Sequence, residues 1–160
     1  MATLAELTSA DAQPGRIVWI GIRPARHQNV QPLLQAFLSE AGLEGDHARP
    51  GKRAVTLFQD EHLAAISGFL GGCEVLPEDL RRNIHVSGLN LSALRGARLW
   101  LGAAEVEITG PCAPCSRMQQ AFGVGGYNAV RGHGGWCARV FRPGRVAIGD
   151  AVVRAQTIGG

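Results

Sequence analysis

The chain has 160 residues, a length typical of one globular domain that needs no disulfide or metal to build a core. Hydrophobic residues make up 46% of it and charged residues 18%, a balance that excludes intrinsic disorder. No apolar run reaches the roughly 18 residues that a membrane-spanning helix needs. Residues 1–13 lack the apolar segment of a secretory signal. We therefore expect a cytoplasmic protein with no membrane attachment.

Charge is unevenly distributed along the chain. Residues 1–80 hold 6 basic and 10 acidic residues, and residues 81–160 hold 10 basic and 3 acidic residues. Lys52 is the only lysine among the 16 basic residues, and arginine binds planar anions through two hydrogen bonds at once. The second half therefore predicts a cleft for a phosphorylated ligand, with a solvated arginine-rich surface as the alternative. Nucleic-acid binding is not expected, because few aromatic residues accompany the arginines.

The chain begins with a predicted loose leader, residues 1–15, and continues as a single domain over residues 16–160. Apolar and β-branched runs bounded by glycine and proline predict about seven short strands. These runs cover residues 16–22, 53–58, 84–86, 98–101, 104–109, 136–141 and 145–155, the last divided by a turn at 149–150.

Helices are fewer and are not interleaved regularly with the strands. Apolar residues at helical spacing predict a helix from Val30 to Leu43, and shorter helices are expected at 59–69, 77–83 and 116–122. Residues 123–126 read as a flexible link. Because the elements do not alternate as β-α-β, the pattern predicts a mainly β fold, an antiparallel barrel with a few peripheral helices.

The candidate chemical centre is the segment from Gly110 to Met118, which contains Cys112 and Cys115. Cys115 precedes a predicted helix, where unpaired backbone N–H groups and the neighbouring Arg117 favour a thiolate. Prolines at 111 and 114 stiffen the loop. We predict that Cys115 is the catalytic residue. The alternative is that both cysteines are small hydrophobic residues in a buried turn.

Two other functions of the cysteines remain open at this stage. Cys112, Cys115, His133 and Cys137 have a spacing that permits a tetrahedral zinc site in a non-catalytic binding module. A thioredoxin-like dithiol fits poorly, because that motif requires a βαβ context.

Polar pairs and glycines beside turns form the remaining candidate binding residues. Asp46 with His47, and Arg82 with Asn83, are read either as the rim of a pocket or as a turn and a helix cap. Glycines in the segment 132–135 allow a backbone to approach a phosphate closely.

Ordered short motifs from residue 17 to residue 155 resemble the MOSC family, the C-terminal domain of molybdenum cofactor sulfurases. The motifs are Gly-Leu-Glu-Gly-Asp-His at 42–47, Arg-Asn-Ile at 82–84, Gly-Leu-Asn-Leu at 88–91, Thr-Gly at 109–110, Pro-Cys at 114–115, Gly-Gly at 134–135, Arg-Val at 139–140 and Gly-Asp at 149–150.

The resemblance implies a β-barrel that binds a molybdopterin-type cofactor or carries sulfur. The family's functional cysteine falls on Cys115, as a persulfide carrier or as a molybdenum ligand. Further cofactor-binding residues are expected among Asp46, His47, Arg82, Asn83, Arg117, Gly134, Gly135 and Arg139. The sulfurases' pyridoxal-phosphate domain has no counterpart in this sequence, so a desulfurase or redox partner protein is expected to supply the missing step.

Overall fold

Seven strands of a computed structural model, which describes residues 1–156, close into a barrel. Each strand is hydrogen-bonded to the next, and the last returns to the first. In order around the barrel they are β1 (Gly15–Ile22), β11 (Ala151–Arg154), β7 (Arg98–Leu101), β8 (Ala104–Pro111), β9 (Trp136–Arg142), β5 (Val55–Gln59) and β6 (Ile84–Ser87). The predicted strands are thus confirmed, with boundaries that shift by one or two residues.

The sheet is mixed, whereas the sequence predicted an antiparallel one. β5 and β6 run parallel, with Leu57 beside Ile84, and the other pairs in the barrel are antiparallel. A parallel pair needs a long crossover connection. Here the crossover contains the helices α2 (His62–Phe69) and α3 (Pro77–Leu80), which the sequence did predict.

The predicted helix over residues 30–43 is wrong, because this segment forms three short strands. They are β2 (Gln31–Leu33), β3 (Gln35–Ser39) and β4 (Gly42–Leu43). β2 extends the barrel sheet beside β1, and β3 pairs with β4 and with β10 (Gly144–Ala147). The partner strand β10 lies about a hundred residues away in sequence, so local periodicity carried no sign of it.

The remaining helices are short. α1 (Leu4–Thr8) lies inside the predicted leader, is capped by Thr3 and Glu6, and buries none of its residues. The domain boundary at residue 16 stays a prediction. α4 (Arg117–Phe122) is confirmed, but the predicted link at 123–126 leads directly into a further helix, α5 (Gly126–Val130). No helix in residues 1–156 is long and apolar enough to cross a membrane.

Two apolar clusters hold the fold together. The larger fills the barrel and includes Ile17, Leu57 and Leu99, all fully buried. The smaller lies between the barrel wall and the helices and includes Phe58 and Met118. Burial of each large aliphatic side chain contributes about 1.5–3 kcal/mol. The smaller cluster therefore fixes α4, and with it the loop that precedes α4, against the barrel.

Candidate functional site

Cys115 lies in the loop between β8 and α4, two residues before the helix begins. Its side chain is partly buried and, like that of Phe122, packs against the smaller apolar cluster. Its carbonyl oxygen accepts a hydrogen bond from the Met118 amide at 3.0 Å, which starts the helical turn. Cys112, in contrast, is buried and only 7% exposed. Cys115 is therefore the more accessible thiol of the loop, and Cys112 is the buried one.

Arg82 ties this loop to the segment that enters β9. Its Nε donates to the carbonyl of Gly134 at 2.6 Å, and its Nη2 donates to the carbonyl of Ala113 at 2.7 Å. One planar guanidinium thus spans two backbone segments that are otherwise separate loops. The role of Arg82 that the structure displays is to position the cysteine loop.

Gly134 and Gly135 are required by close packing of backbone on backbone. A Cβ on Gly134 would lie 2.5 Å from the Cys112 carbonyl oxygen, and one on Gly135 would lie 2.3 Å from the Leu57 oxygen. Gly135 also has a φ of +90°, which residues with a side chain rarely adopt. These glycines were predicted to face a phosphate. In the structure they face the chain itself, and they bring the β9 segment against the cysteine loop.

Asp46 and Asn83 form a hydrogen-bonded pair that fixes the end of β1. Asn83 Nδ2 donates to Asp46 Oδ2 at 3.2 Å and to the Gly21 carbonyl at 3.1 Å. Asp46 Oδ1 accepts from the Arg23 amide at 2.7 Å. Both side chains of the pair are thus engaged with protein groups. Together they set the direction in which the chain leaves β1 at Arg23.

Arg23 leads into a cleft of about 760 Å³ that is walled by cationic side chains, here called the cationic cleft. None of its lining residues is acidic. The lining consists of Arg23, Arg26, His47, Ala48, Arg49, Pro50, Lys52 and Arg53. Five positive charges at one concave surface create a potential that attracts a multivalent anion.

Arg81 is subject to charges from both the cationic cleft and Cys115. Burial lowers the pKa of Arg81, the positive charges of Arg117 and Arg23 lower it further, and a negative charge at Cys115 raises it. The charges of Arg23, which lines the cleft, and of Cys115 thus both act on the Arg81 guanidinium. Its backbone is left-handed, with a φ of +58°, and its Nη2 donates to the Gln28 carbonyl at 2.9 Å. Its Nε is buried without a hydrogen-bond partner.

Arg117 points towards His27 and shares a shallow groove with Arg81. Its Nη2 contacts His27 Nδ1. The positive charge of Arg117 is the main cause that lowers the pKa of His27, so the imidazole is neutral and accepts the hydrogen bond. The groove is lined by Arg81 and Arg117 together with Glu78 and Asp79.

Comparison with known proteins decides the family. The family model of the MOSC domain matches residues 43–153, which is more than half of the chain. The chain belongs to the MOSC domain family. Comparison with curated protein sequences gave no match.

Several solved structures share the fold of this MOSC domain. The YuaD protein from Bacillus subtilis aligns with a TM-score of 0.76 at 20% identity, over 91% of this chain and 98% of that chain. YiiM from Geobacillus stearothermophilus aligns at 0.73 and 18% identity, over 89% and 76%. YiiM from Escherichia coli aligns at 0.68 and 21% identity, over 91% and 72%.

Arg139 and the zinc alternative stand apart from the site of this MOSC domain. Arg139 lies in the middle of β9 opposite Glu107, and it does not line the cationic cleft. The proposed zinc ligands are divided, because Cys112 contacts Cys137 whereas Cys115 packs in the smaller apolar cluster. His133 instead packs edge-on against the His62 ring. Within residues 1–156 no three His, Cys, Asp or Glu side chains are arranged to hold a metal ion, so this geometry does not support the zinc alternative.

The sequence reading missed Arg81 and most of the cationic cleft. It placed the anion-binding surface in the second half of the chain, which has the positive net charge. Five of the six basic residues in the first half line the cleft, and His47 alone among the lining residues was proposed from sequence as a binding residue. The available signal was the clustering of these cations on either side of the Gly-Asp-His motif that ends at residue 47.

Proposed function

We propose that this MOSC domain carries sulfur on Cys115 and delivers it to a phosphorylated, molybdopterin-type acceptor. The observation that supports this most strongly is that the charge of Arg81 interacts with both Cys115 and the cationic cleft. Cys115 is a partly exposed thiol, and the partly buried Arg81 is within electrostatic range of both Cys115 and the cleft residue Arg23. A soft nucleophile and a binding surface for an anion are thereby combined in one region of the molecule.

The sulfur-loading step uses Cys115 as the nucleophile. Its thiolate attacks the outer sulfur of a donor persulfide, a new S–S bond forms on Cys115, and the donor cysteine leaves as a thiolate. The charge of Arg81 stabilises the anion on Cys115 before attack and on the outer persulfide sulfur afterwards. The loop bonds of Arg82 hold Cys115 in place, so that the attack needs little reorganisation. A partner desulfurase would supply the donor.

The residues present fit a phosphorylated pterin. Arg26, Arg49 and Lys52 are exposed in the cationic cleft and would bind the phosphate, since guanidinium groups match phosphate oxygens in pairs. Cys115 would offer a thiolate to molybdenum, which prefers soft ligands, and the bound metal would supply redox chemistry with a redox partner protein. Asp46 and Asn83 act behind the cleft by holding Arg23. Direct roles for Gly134, Gly135, Arg117 and Arg139 in binding, and a cytoplasmic location, stay predictions.

Co-purification tests the binding half of the proposal. The wild type and the double variant Arg26→Gln/Arg49→Gln are purified from a host that makes molybdopterin, and the pterin is measured by its fluorescence after oxidation. We expect pterin in the wild type, a loss of at least tenfold in the double variant, and release as salt rises, because exposed charges are screened. Arg95→Gln, which lies outside the cationic cleft, is the matched control. Equal pterin in all three proteins, or none in the wild type, contradicts the proposal.

A further inference from the structure

Two buried thiols meet where β8 ends and β9 begins. Cys112 is the first residue after β8, and Cys137 is the second residue of β9. Their sulfur atoms are 2.9 Å apart, and the side chains are 7% and 5% exposed. The Cys112 amide also donates to the Gly135 carbonyl at 2.8 Å. The ladder between the two strands therefore holds both sulfurs in place, and neither takes part in the function proposed above.

One side of this pair faces a cavity. Cys112 lines a cavity of about 450 Å³, together with His62, Tyr127, His133 and Trp136. These four neighbours have aromatic rings, and Arg131 adds one cationic side chain to the lining, so the cavity can admit a small polar molecule such as a hydroperoxide. A route thus leads from solvent to one of the two buried sulfurs.

Positive charge supports a thiolate in the pair. The hydrogen bond with Cys112 lowers the pKa of Cys137, and a hydrogen bond from Arg53 adds to this, whereas the same sulfur contact raises the pKa of Cys112. The two sulfurs therefore share one proton, with Arg53 and Arg82 as the nearby cations. The resting thiolate is therefore on Cys137, and attack from the cavity requires the shared proton to pass from the Cys112 sulfur to the Cys137 sulfur across the 2.9 Å contact.

We propose that Cys112 and Cys137 form a redox-active dithiol that a small hydroperoxide oxidises to a disulfide. The Cys112 sulfur attacks one peroxide oxygen, the O–O bond breaks, and the departing oxygen takes up the thiol proton and leaves as water or an alcohol. The Cys137 thiolate then attacks the sulfenic sulfur, hydroxide leaves and takes one proton from solvent to become water, and the S–S bond forms. Two thiols lose two electrons in total, and the peroxide gains them.

The geometry favours this pairing over one between Cys112 and Cys115. A disulfide needs the sulfurs at about 2.05 Å, so the 2.9 Å contact has to shorten by less than an ångström. Cys115 instead packs against the smaller apolar cluster. The new bond would attach the cysteine loop to β9 at a second point, beside the Arg82 contacts. Oxidation of the pair would thereby restrain the loop that also contains Cys115.

Mass spectrometry of the oxidised wild type tests this inference. The protein is treated with hydrogen peroxide at one to five equivalents, alkylated under denaturing conditions, and digested without reductant. We expect the intact chain to lose two hydrogen atoms and a peptide pair joined through Cys112 and Cys137 to appear. Dithiothreitol should reverse both changes.

Three single variants provide the controls. Cys73→Ser, which removes an exposed and isolated thiol, and Cys115→Ser should both keep the cross-link. Cys137→Ser should lose it and accumulate sulfenic acid on Cys112, detected with dimedone. A cross-link between Cys112 and Cys115, or sulfinic acid at separate cysteines of the wild type without a cross-link, would overturn the inference. Because Cys115 is not required here, failure of sulfur transfer leaves this result unaffected.

Discussion

Replacement of Arg82 by methionine removes the guanidinium but keeps an apolar stem of similar length. The variant loses two hydrogen bonds, at 2.6 Å to Gly134 and at 2.7 Å to Ala113. A hydrogen bond to a charged group contributes about 1.5–3 kcal/mol, but the carbonyl of the exposed Ala113 regains water, so we expect a total loss of about 2 kcal/mol. In a chain of this size, such a loss lowers the Tm by about 4–8 °C.

Urea unfolding followed by circular dichroism measures this loss of stability, and iodoacetamide alkylation measures the loop. In Arg82→Met, we expect the buried Cys112 to be alkylated several-fold faster than in the wild type, because its burial depends on the position of the loop. Arg82→Lys should fall between the two, since one ammonium cannot span both carbonyls in the same plane.

Arg145→Met is the matched control for this experiment. Arg145 is also exposed in part to solvent and donates one hydrogen bond, to the Gln35 side chain at 3.0 Å. Its replacement should change the free energy of unfolding by less than about 0.5 kcal/mol. If Arg82→Met unfolds at the same urea concentration as the wild type and its Cys112 is alkylated no faster, Arg82 does not position the cysteine loop.

Two further predictions concern His85 and Gly135. His85 is fully buried between Trp19 and Phe58, and burial lowers its pKa, so the unfolded chain binds a proton that the folded chain does not. As pH falls below about 6.5, the free energy of unfolding should therefore decrease by up to about 1.4 kcal/mol per pH unit. Urea unfolding of His85→Phe should show a smaller decrease with pH than the wild type. An equal pH dependence in the two proteins would refute this. Gly135→Ala should lower the free energy of unfolding by at least about 3 kcal/mol. The added Cβ would clash with the Leu57 carbonyl oxygen, and the positive φ adds backbone strain. Gly132 has a similar φ, but a Cβ added there would meet no atom of the described residues within 4 Å. Gly132→Ala should therefore lower the free energy of unfolding by only about 1 kcal/mol. Equal losses at the two sites would show that the close contact at Gly135 is unimportant.

Much of the barrel could be predicted from local sequence. β1 and β5 are short β-branched and apolar runs bounded by turn residues, and β7 and β8 flank Gly102 in a hairpin, so neighbours in the chain are neighbours in the sheet. The segment 31–39 could not be predicted this way. Its apolar residues fit a helix as well as a strand, and pairing with the distant β10 decided between the two.

From sequence alone, candidate site residues could be proposed only where the side chain has a distinctive reactivity, as cysteine does. Cys115 was proposed from its place before a helix, and this assignment stays a prediction. The sequence did not show that Cys112 contacts Cys137, whose sulfur the fold brings within 2.9 Å. The cationic cleft escaped detection because net charge was summed along the chain. Arg23 and Arg53 lie thirty residues apart in sequence yet line the same surface, while the acidic residues that outnumber the basic ones do not line it. Charge in three dimensions depends on topology, which a sum over half the sequence does not contain.

Sulfur loading of Cys115 tests the central claim most directly. The wild type and the variants Cys73→Ser, Cys112→Ser and Cys115→Ser are incubated with a cysteine desulfurase and cysteine, trapped with iodoacetamide, and analysed by peptide mass spectrometry. The account predicts that the peptide containing Cys115 gains the mass of one sulfur atom in the wild type and in Cys73→Ser and Cys112→Ser, whereas Cys115→Ser gains none. Sulfur found at Cys73 as readily as at Cys115, or full loading of Cys115→Ser, would contradict the assignment of Cys115 as the chemical centre.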